Sequence, residues 1–506
     1  MKRFLTLAAV LLTVALNATG AQAQKSADTF RFASTNPINT IDPYYNAFRE
    51  AILVVGQLAW DTLVYSDPES NGYKPLLAKS WTWVNDETID FDLREDVKFH
   101  DGVPFTADDV VYTFNYVSNP ENKVTVQANV KWIKSAEKLG PYKVRVHLKE
   151  AFPAAMEFFA GPLAILPKDF FGPNQTAGGN GRLVGTGPYR IKNFAPGTRV
   201  DLERYDGYMT GTPKGQPAIR NIVFRMIPDR ATQLAELLSG GVDWVWYMTK
   251  DETQRLASRK GIQTISAPSM RLDFIALDAA GKTGKDNPMT DLRVRQALTM
   301  ALDRERMAKQ LQGPASWVPS GACYKSQFGC LDNLPKLPYD VERAKALLKE
   351  AGYPDGFKVD MYSYDLRSLD EVIMSYWQKV GVKVDLHYMQ YPAVREKILA
   401  GDVRALHASW GSYGVNDSSA LLNVFFQGSG DDYAQDPEVI DALKKADKTV
   451  DPDQRKEHLA KALRRIADKV YWVPLSIRLI NYAYTSDLDF KAWPDENPRF
   501  FLTKWK

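Results

Sequence analysis

The amino-acid sequence predicts a mixed α/β protein built from more than one lobe, and three observations carry that reading. Its 506 residues leave room for two to four domains. Its composition, 45% hydrophobic and 25% charged with a mean hydropathy of -0.33, is that of an ordinary globular chain. Short alternating runs dominate residues 60–150, whereas helical stretches become longer and more frequent after Ala267-Pro268. Disordered, collagen-like and polytopic membrane classes are excluded on the same grounds. No tandem period of about 20 to 50 residues is present, which excludes solenoids and propellers.

The N-terminus reads as an export signal. Lys2 and Arg3 precede an apolar run from Phe4 to Leu16, and Ala21-Gln22-Ala23 supplies a small-residue cleavage site. The run is too short to span about 30 Å of hydrocarbon. The mature chain is expected to begin near Gln24, after export. Losing Lys2 and Arg3 lowers the formal charge from +3 to +1. Near neutrality leaves no basic footprint for nucleic acid or an anionic membrane. Export also permits a disulfide, and Cys323 and Cys330 would close a small loop, with two free thiols as the alternative.

Strands are expected where alternation is strict: Thr29 to Ala33, Thr88 to Leu93, and Lys143 to Leu148. Thr106 with Asp109 forms a variant capping box ahead of Val110, Phe114 and Val117. Gly172 to Gly187 holds six glycines and suits an exposed crossing. Val294, Ala297, Leu298, Ala301 and Leu302 make an apolar stripe. Asp340 caps a helix carrying Ala344, Leu347 and Leu348 that stops at Gly352. Tyr471 to Tyr484 is strand-like and aromatic.

Signatures of an exported enzyme are missing. There is no G-x-S-x-G elbow, no H-E-x-x-H and no phosphate-binding G-x-x-x-x-G-K-[ST] loop. The five histidines show no zinc-helix spacing. A spatial pair of carboxylates for glycoside hydrolysis leaves little trace in sequence, so a hydrolase stands as the alternative of a different class. No cofactor or metal site is expected.

Seven blocks in order carry a resemblance. They are Ile41-Asp42-Pro43 with Gln57 to Val64; Lys74 to Trp81; Phe91 to Gly102 running on to Val110; Gly185-Thr186-Gly187-Pro188-Tyr189; Ser239 to Asp243; Val294 to Leu298 with Asp303-Arg304; and Ala344 to Gly352. In this order the chain resembles the bacterial extracellular solute-binding proteins of family 5, the periplasmic receptors of peptide and nickel importers of the ATP-binding-cassette type. The resemblance implies a two-lobed periplasmic binding protein fold with an extra β-rich subdomain inserted in the N-terminal lobe. It places lobe I in residues 24–60, 175–270 and 481–506, the subdomain in 61–174, and lobe II in 271–480. It further implies a monomer that delivers a short peptide to permease subunits without inserting in the membrane. An opine, an oligosaccharide or a nickel chelate is the alternative ligand on the same fold.

Ligand contacts are implied at two strips: Tyr45, Asn46, Ala47, Phe48 and Arg49 after the Asp-Pro motif, and Trp410, Gly411, Ser412 and Tyr413 in lobe II. Peptide-binding relatives carry an aspartate where Tyr413 stands, and a neutral phenol cannot replace it. Asp417 is the candidate substitute, or else a helix cap. Trp246 and Tyr247 offer a stacking platform or core packing. Arg49, Arg271 and Arg367 are candidate carboxylate forks. His407 contacts ligand or sits satisfied inside lobe II.

Overall fold

The computed structural model describes residues 28–46, 48–171, 183–412 and 414–506, with the backbone alone for Ile52 and Leu53. The expected leader, Ala47, Tyr413 and most of the glycine-rich stretch lie outside the described residues. Strand β1 (Thr29–Ser34) opens the described chain. A hairpin of β2 (Val64–Asp67) and β3 (Gly72–Pro75) then leads into an antiparallel sheet. That sheet holds β4 (Ala78–Asn85), β5 (Thr88–Leu93), β6 (Ile133–Gly140) and β7 (Lys143–Leu148), in the order β4-β5-β7-β6. The helix Ala107–Ser118 lies against it and starts where expected. Thr106 and Asp109 cap it reciprocally, and Val110, Phe114 and Val117 are fully buried.

Nine further strands join β1 in one ten-stranded sheet. They are β8 (Tyr189–Ala195), β9 (Arg199–Arg204), β10 (Asn221–Met226), β11 (Trp244–Trp246), β12 (Ile262–Leu277), β13 (Lys358–Ser363), β14 (Lys383–Tyr388), β15 (Ala405–Gly411) and β16 (Trp472–Thr485). The order is β14-β13-β15-β12-β16-β11-β1-β10-β9-β8. Two long strands, β12 and β16, hold the halves together. The first part of β12 pairs with Leu479–Thr485, and its last part pairs with both β15 and Trp472–Ile477, after a register shift between Pro268 and Leu272. The composition change at Ala267-Pro268 therefore marks the middle of a crossing strand, not a linker.

Apolar residues sort into cores on either side of this crossing. Phe30, Phe32, Trp60, Phe91, Trp244 and Phe500 belong to one continuous core, so the four-stranded sheet shares its interior with the first half. Phe274 stacks on Trp472 with centroids 3.5 Å apart in a second core, and Leu298 packs with Trp377 in a third. Each such side chain removed from water contributes about 1.5–3 kcal/mol. Among the described residues no helix is long and apolar enough to cross a membrane. Cys323 and Cys330 are bonded, with Cα atoms 5.6 Å apart.

The end of the glycine-rich stretch corrects the expectation of an exposed crossing, because Gly185 and Gly187 are buried against Ala59 and Trp60. His100 locks them in place. Its Nδ1 accepts from the Gly185 N–H at 3.2 Å, and its Nε2 donates to the Gly187 carbonyl at 2.9 Å. That pattern requires neutral imidazole, and burial lowers its pKa to about 4. The fold thus loses this contribution as pH falls from about 6.5 toward 4, because the unfolded chain takes up the proton first. A Cβ at Gly187 would lie 2.4 Å from the Leu58 carbonyl oxygen. Gly187→Ala is accordingly expected to cost about 3 kcal/mol in urea unfolding. An unchanged midpoint would contradict this close approach.

Candidate functional site

Three parts of the chain surround a cavity of about 780 Å3, counted with the solvent in its mouth. Gly56 to Trp60 and the tail from Asp495 to Arg499 form one wall. Tyr65 and Glu157, from the inserted segment, form a second. Gly414 and Val415, just beyond β15, close it from the other half. The halves touch here. The Asn416 N–H donates to the Glu157 carboxylate at 2.8 Å. A Cβ added to Gly414 would lie 2.9 Å from Asn497 Nδ2 and 3.2 Å from the Asp495 carbonyl oxygen. Gly414 also has φ +83, a left-handed conformation that glycine adopts without strain.

Most charges at the cleft are paired. Lys214 meets Asp61 at 2.6 Å with both side chains buried, and its ammonium also donates to the Gln57 and Trp60 carbonyls. Burial pushes Asp61 up and Lys214 down, while their mutual attraction opposes both shifts. Arg499 forks onto Asp495 at 2.7 and 3.1 Å and donates to the Tyr65 hydroxyl. Glu496 is shared by two arginines, Arg49 at 3.4 Å and Arg271 at 3.5 Å, and accepts from the Tyr247 hydroxyl at 3.1 Å. Burial alone would raise the Glu496 carboxyl, but the two arginines hold it below its usual range. Tyr247 and Glu496 both have positive φ, at 54° and 59°. Such backbone strain costs about 1–3 kcal/mol per residue and persists only where surrounding contacts enforce it.

A two-halved molecule joined by paired strands, with residues of both halves lining one cavity, is the architecture of a receptor that closes on its ligand. The family model for bacterial extracellular solute-binding proteins, family 5, matches residues 72–433. The chain belongs to that family. It is 27% identical over 477 residues to the glutathione-binding protein GsiB of Salmonella typhimurium, covering 90% of each chain. It is 26% identical over 396 residues to the dipeptide-binding protein of Escherichia coli, covering 71% of this chain and 72% of that one. A crystal structure of the ABC transporter substrate binding protein CtaP from Listeria monocytogenes has the same fold, with a TM-score of 0.83 at 21% identity, over 94% of this chain and 99% of that one.

The residues singled out in the sequence fall into distinct places in this solute-binding protein. Arg49, Tyr247 and Arg271 come together on Glu496, although they lie far apart in sequence. Gly411 is the partner of Arg271 across β15 and β12, and Trp410 sits next to it against Phe425. Ser412 is buried, with its hydroxyl on the Met270 sulfur. Asn46 bonds the Phe48 N–H and the Thr40 carbonyl, folding its segment into a turn that runs into the helical stretch Glu50–Val55. Tyr45 hydrogen-bonds Tyr116, and Phe48 is partly exposed.

Four candidates take structural positions instead. Trp246 is buried beside Trp244, so alternation sent both to the core. Arg367 lies on the surface, paired with Glu371 one helical turn on. His407 is fully buried, its Nδ1 meeting Asp370 at 2.6 Å while its Nε2 has no hydrogen-bond partner among the described residues. Asp417 caps Ser419 and is gripped by Arg455 at 2.5 and 3.0 Å, leaving no carboxylate free to replace an aspartate at position 413. Gly414, the last residue of the Trp410 strip, lines the cavity, whereas sequence reasoning missed Glu157, Lys214 and the tail from Asp495 to Arg499.

Proposed function

We propose that this chain is the periplasmic receptor of an ATP-binding-cassette importer that captures a short peptide by lobe closure and hands it, chemically unchanged, to the permease. The observation that carries this reading is the cleft bounded by both halves, with Asn416 reaching Glu157 across it. The peptide assignment is supported by the glutathione- and dipeptide-binding relatives. In this reading lobe I comprises residues 24–60, 175–270 and 481–506, with 61–174 as its subdomain and 271–480 as lobe II. The boundaries at 270 and 480 fall inside β12 and β16, so the hinge is a pair of strands. Residues 1–23 are the leader, and the mature protein acts as a monomer without catalysis.

A melting screen of the mature protein tests this. Di- to pentapeptides and glutathione are compared with opines, oligosaccharides and nickel chelates. Peptide present at about 100 times its Kd adds roughly 2.7 kcal/mol of stability by mass action. A rise in Tm with peptides alone, and recovery of intact peptide by mass spectrometry, is the expected result. No rise with any peptide overturns the peptide assignment, and cleavage products overturn the receptor role.

A further inference from the structure

Two carboxylates line the cavity, Asp495 and Glu157, and they differ in their partners. Asp61 faces Lys214, Asp495 faces Arg499, Asp417 faces Arg455, and Glu496 faces Arg49 and Arg271. Glu157 has no ion pair among the described residues, although its side chain is more than nine-tenths buried and lines the cavity. It sits on the short helix Ala155–Phe159, where one oxygen accepts from the Tyr73 hydroxyl at 2.5 Å and the other from the Asn416 N–H at 2.8 Å. An ionised carboxylate offers about four acceptor positions, so two remain for a guest.

A buried charge with no counter-charge is costly unless something supplies one. The groups around Glu157 do not supply it. Tyr73 on β3 is neutral. Asp417, beside the helix Ser419–Phe426, is already matched by Arg455 of the helix Pro452–Asp468. Asp495 of the tail is already matched by Arg499. Burial, with Asp417 and Asp495 adding to it, pushes the Glu157 carboxyl up to about 7 against the lowering effect of its two hydrogen bonds. Asn416 belongs to one half and Glu157 to the other, so a cation placed on Glu157 is enclosed only when the halves meet.

We infer that Glu157 receives a primary ammonium group of the bound solute, so that the cleft selects ligands carrying a free amine. This deepens the peptide reading and rests on the cleft being the ligand site. It has a pH signature. With the halves in contact as here, Glu157 holds its proton below about pH 7, and an ammonium displaces it. Affinity for a free amine therefore falls up to about tenfold per pH unit below 7, with uptake of the guest releasing a proton. Above pH 7 affinity levels off until the amine itself deprotonates, at about 7.7–8.0 for a peptide terminus.

The test has two arms. In the first, isothermal titration at pH 6 and 7.5 measures glutathione and di- and tripeptides, each free and N-acetylated, on wild type, Glu157→Gln and Glu157→Asp. The expected results are loss of binding on acetylation, a fall of about 10- to 100-fold for Glu157→Gln with its acid-side pH dependence gone, and a smaller loss for Glu157→Asp. Equal binding of free and acetylated peptides, unaffected by Glu157→Gln, overturns the ammonium site while leaving a peptide receptor intact. The second arm needs no peptide. Carbon-13 NMR follows the Glu157 carboxyl with and without n-propylammonium chloride. A downward shift in its titration midpoint supports the site even if every peptide fails, and an unmoved midpoint overturns it. Ligand-free melting confirms that each variant is folded.

Discussion

Gly414→Val is expected to weaken ligand binding by about 30- to 150-fold while leaving the ligand-free protein folded. Two penalties combine in the closed state. Gly414 has φ +83, a conformation that costs a β-branched residue about 1–3 kcal/mol. Its added carbons would also press on Asn497 Nδ2 and on the Asp495 carbonyl oxygen, already 2.9 and 3.2 Å from an ideal Cβ. Overpacking of that kind costs about 1–3 kcal/mol. An open cleft relieves the clash and allows the loop to relax, so roughly 2–3 kcal/mol falls on closure, at about 1.4 kcal/mol per factor of ten in Kd. Calorimetric titration alongside a ligand-free melt separates the two effects. Wild-type affinity in Gly414→Val would mean that the halves do not need to meet at this point.

Arg455→Ala is expected to be the most damaging single change to lobe II, costing about 3–5 kcal/mol in chemical denaturation. Arg455 and Asp417 are both nearly inaccessible, and the guanidinium also donates to the Ser419 hydroxyl and the Ala446 carbonyl. Removing it leaves a buried carboxylate without a counter-charge. The double variant Arg455→Met with Asp417→Asn removes both charges and preserves volume, and should recover most of that loss. Its ligand affinity should stay within a few-fold of wild type, because Asp417 is engaged in scaffold contacts. A double variant that folds but binds nothing would restore Asp417 as a ligand group.

Local signals were enough for much of the fold. Strict alternation located β5 and β7, the Thr106–Asp109 pair located a helix start, and Asp340 and Gly352 bracketed the helix Val341–Glu350. Each feature depends on neighbours within a few residues. Arg49 and Arg271 stood out in the sequence as carboxylate forks, but the carboxylate they share, Glu496, comes from the distant tail. Glu157 lies in a five-residue helix with no periodicity to read, and its lack of a counter-charge is a property of the folded cavity. Glu496 becomes central because the chain returns to the first half after β16, bringing its carboxylate onto residues hundreds of positions earlier. Trp246 was ambiguous because alternation gives a face but not which face is wet.

The most direct measurement is a distance across the cleft in solution. Both native cysteines are consumed in the disulfide, so spin labels can be placed at Lys131→Cys in the subdomain and Lys448→Cys in lobe II, both exposed positions. Pulsed electron resonance should give a broad, longer distance without ligand and a narrow, shorter one once a peptide is bound. A single distance that does not change when calorimetry shows the site filled would contradict closure, and with it the reading of this chain as a solute-capturing receptor.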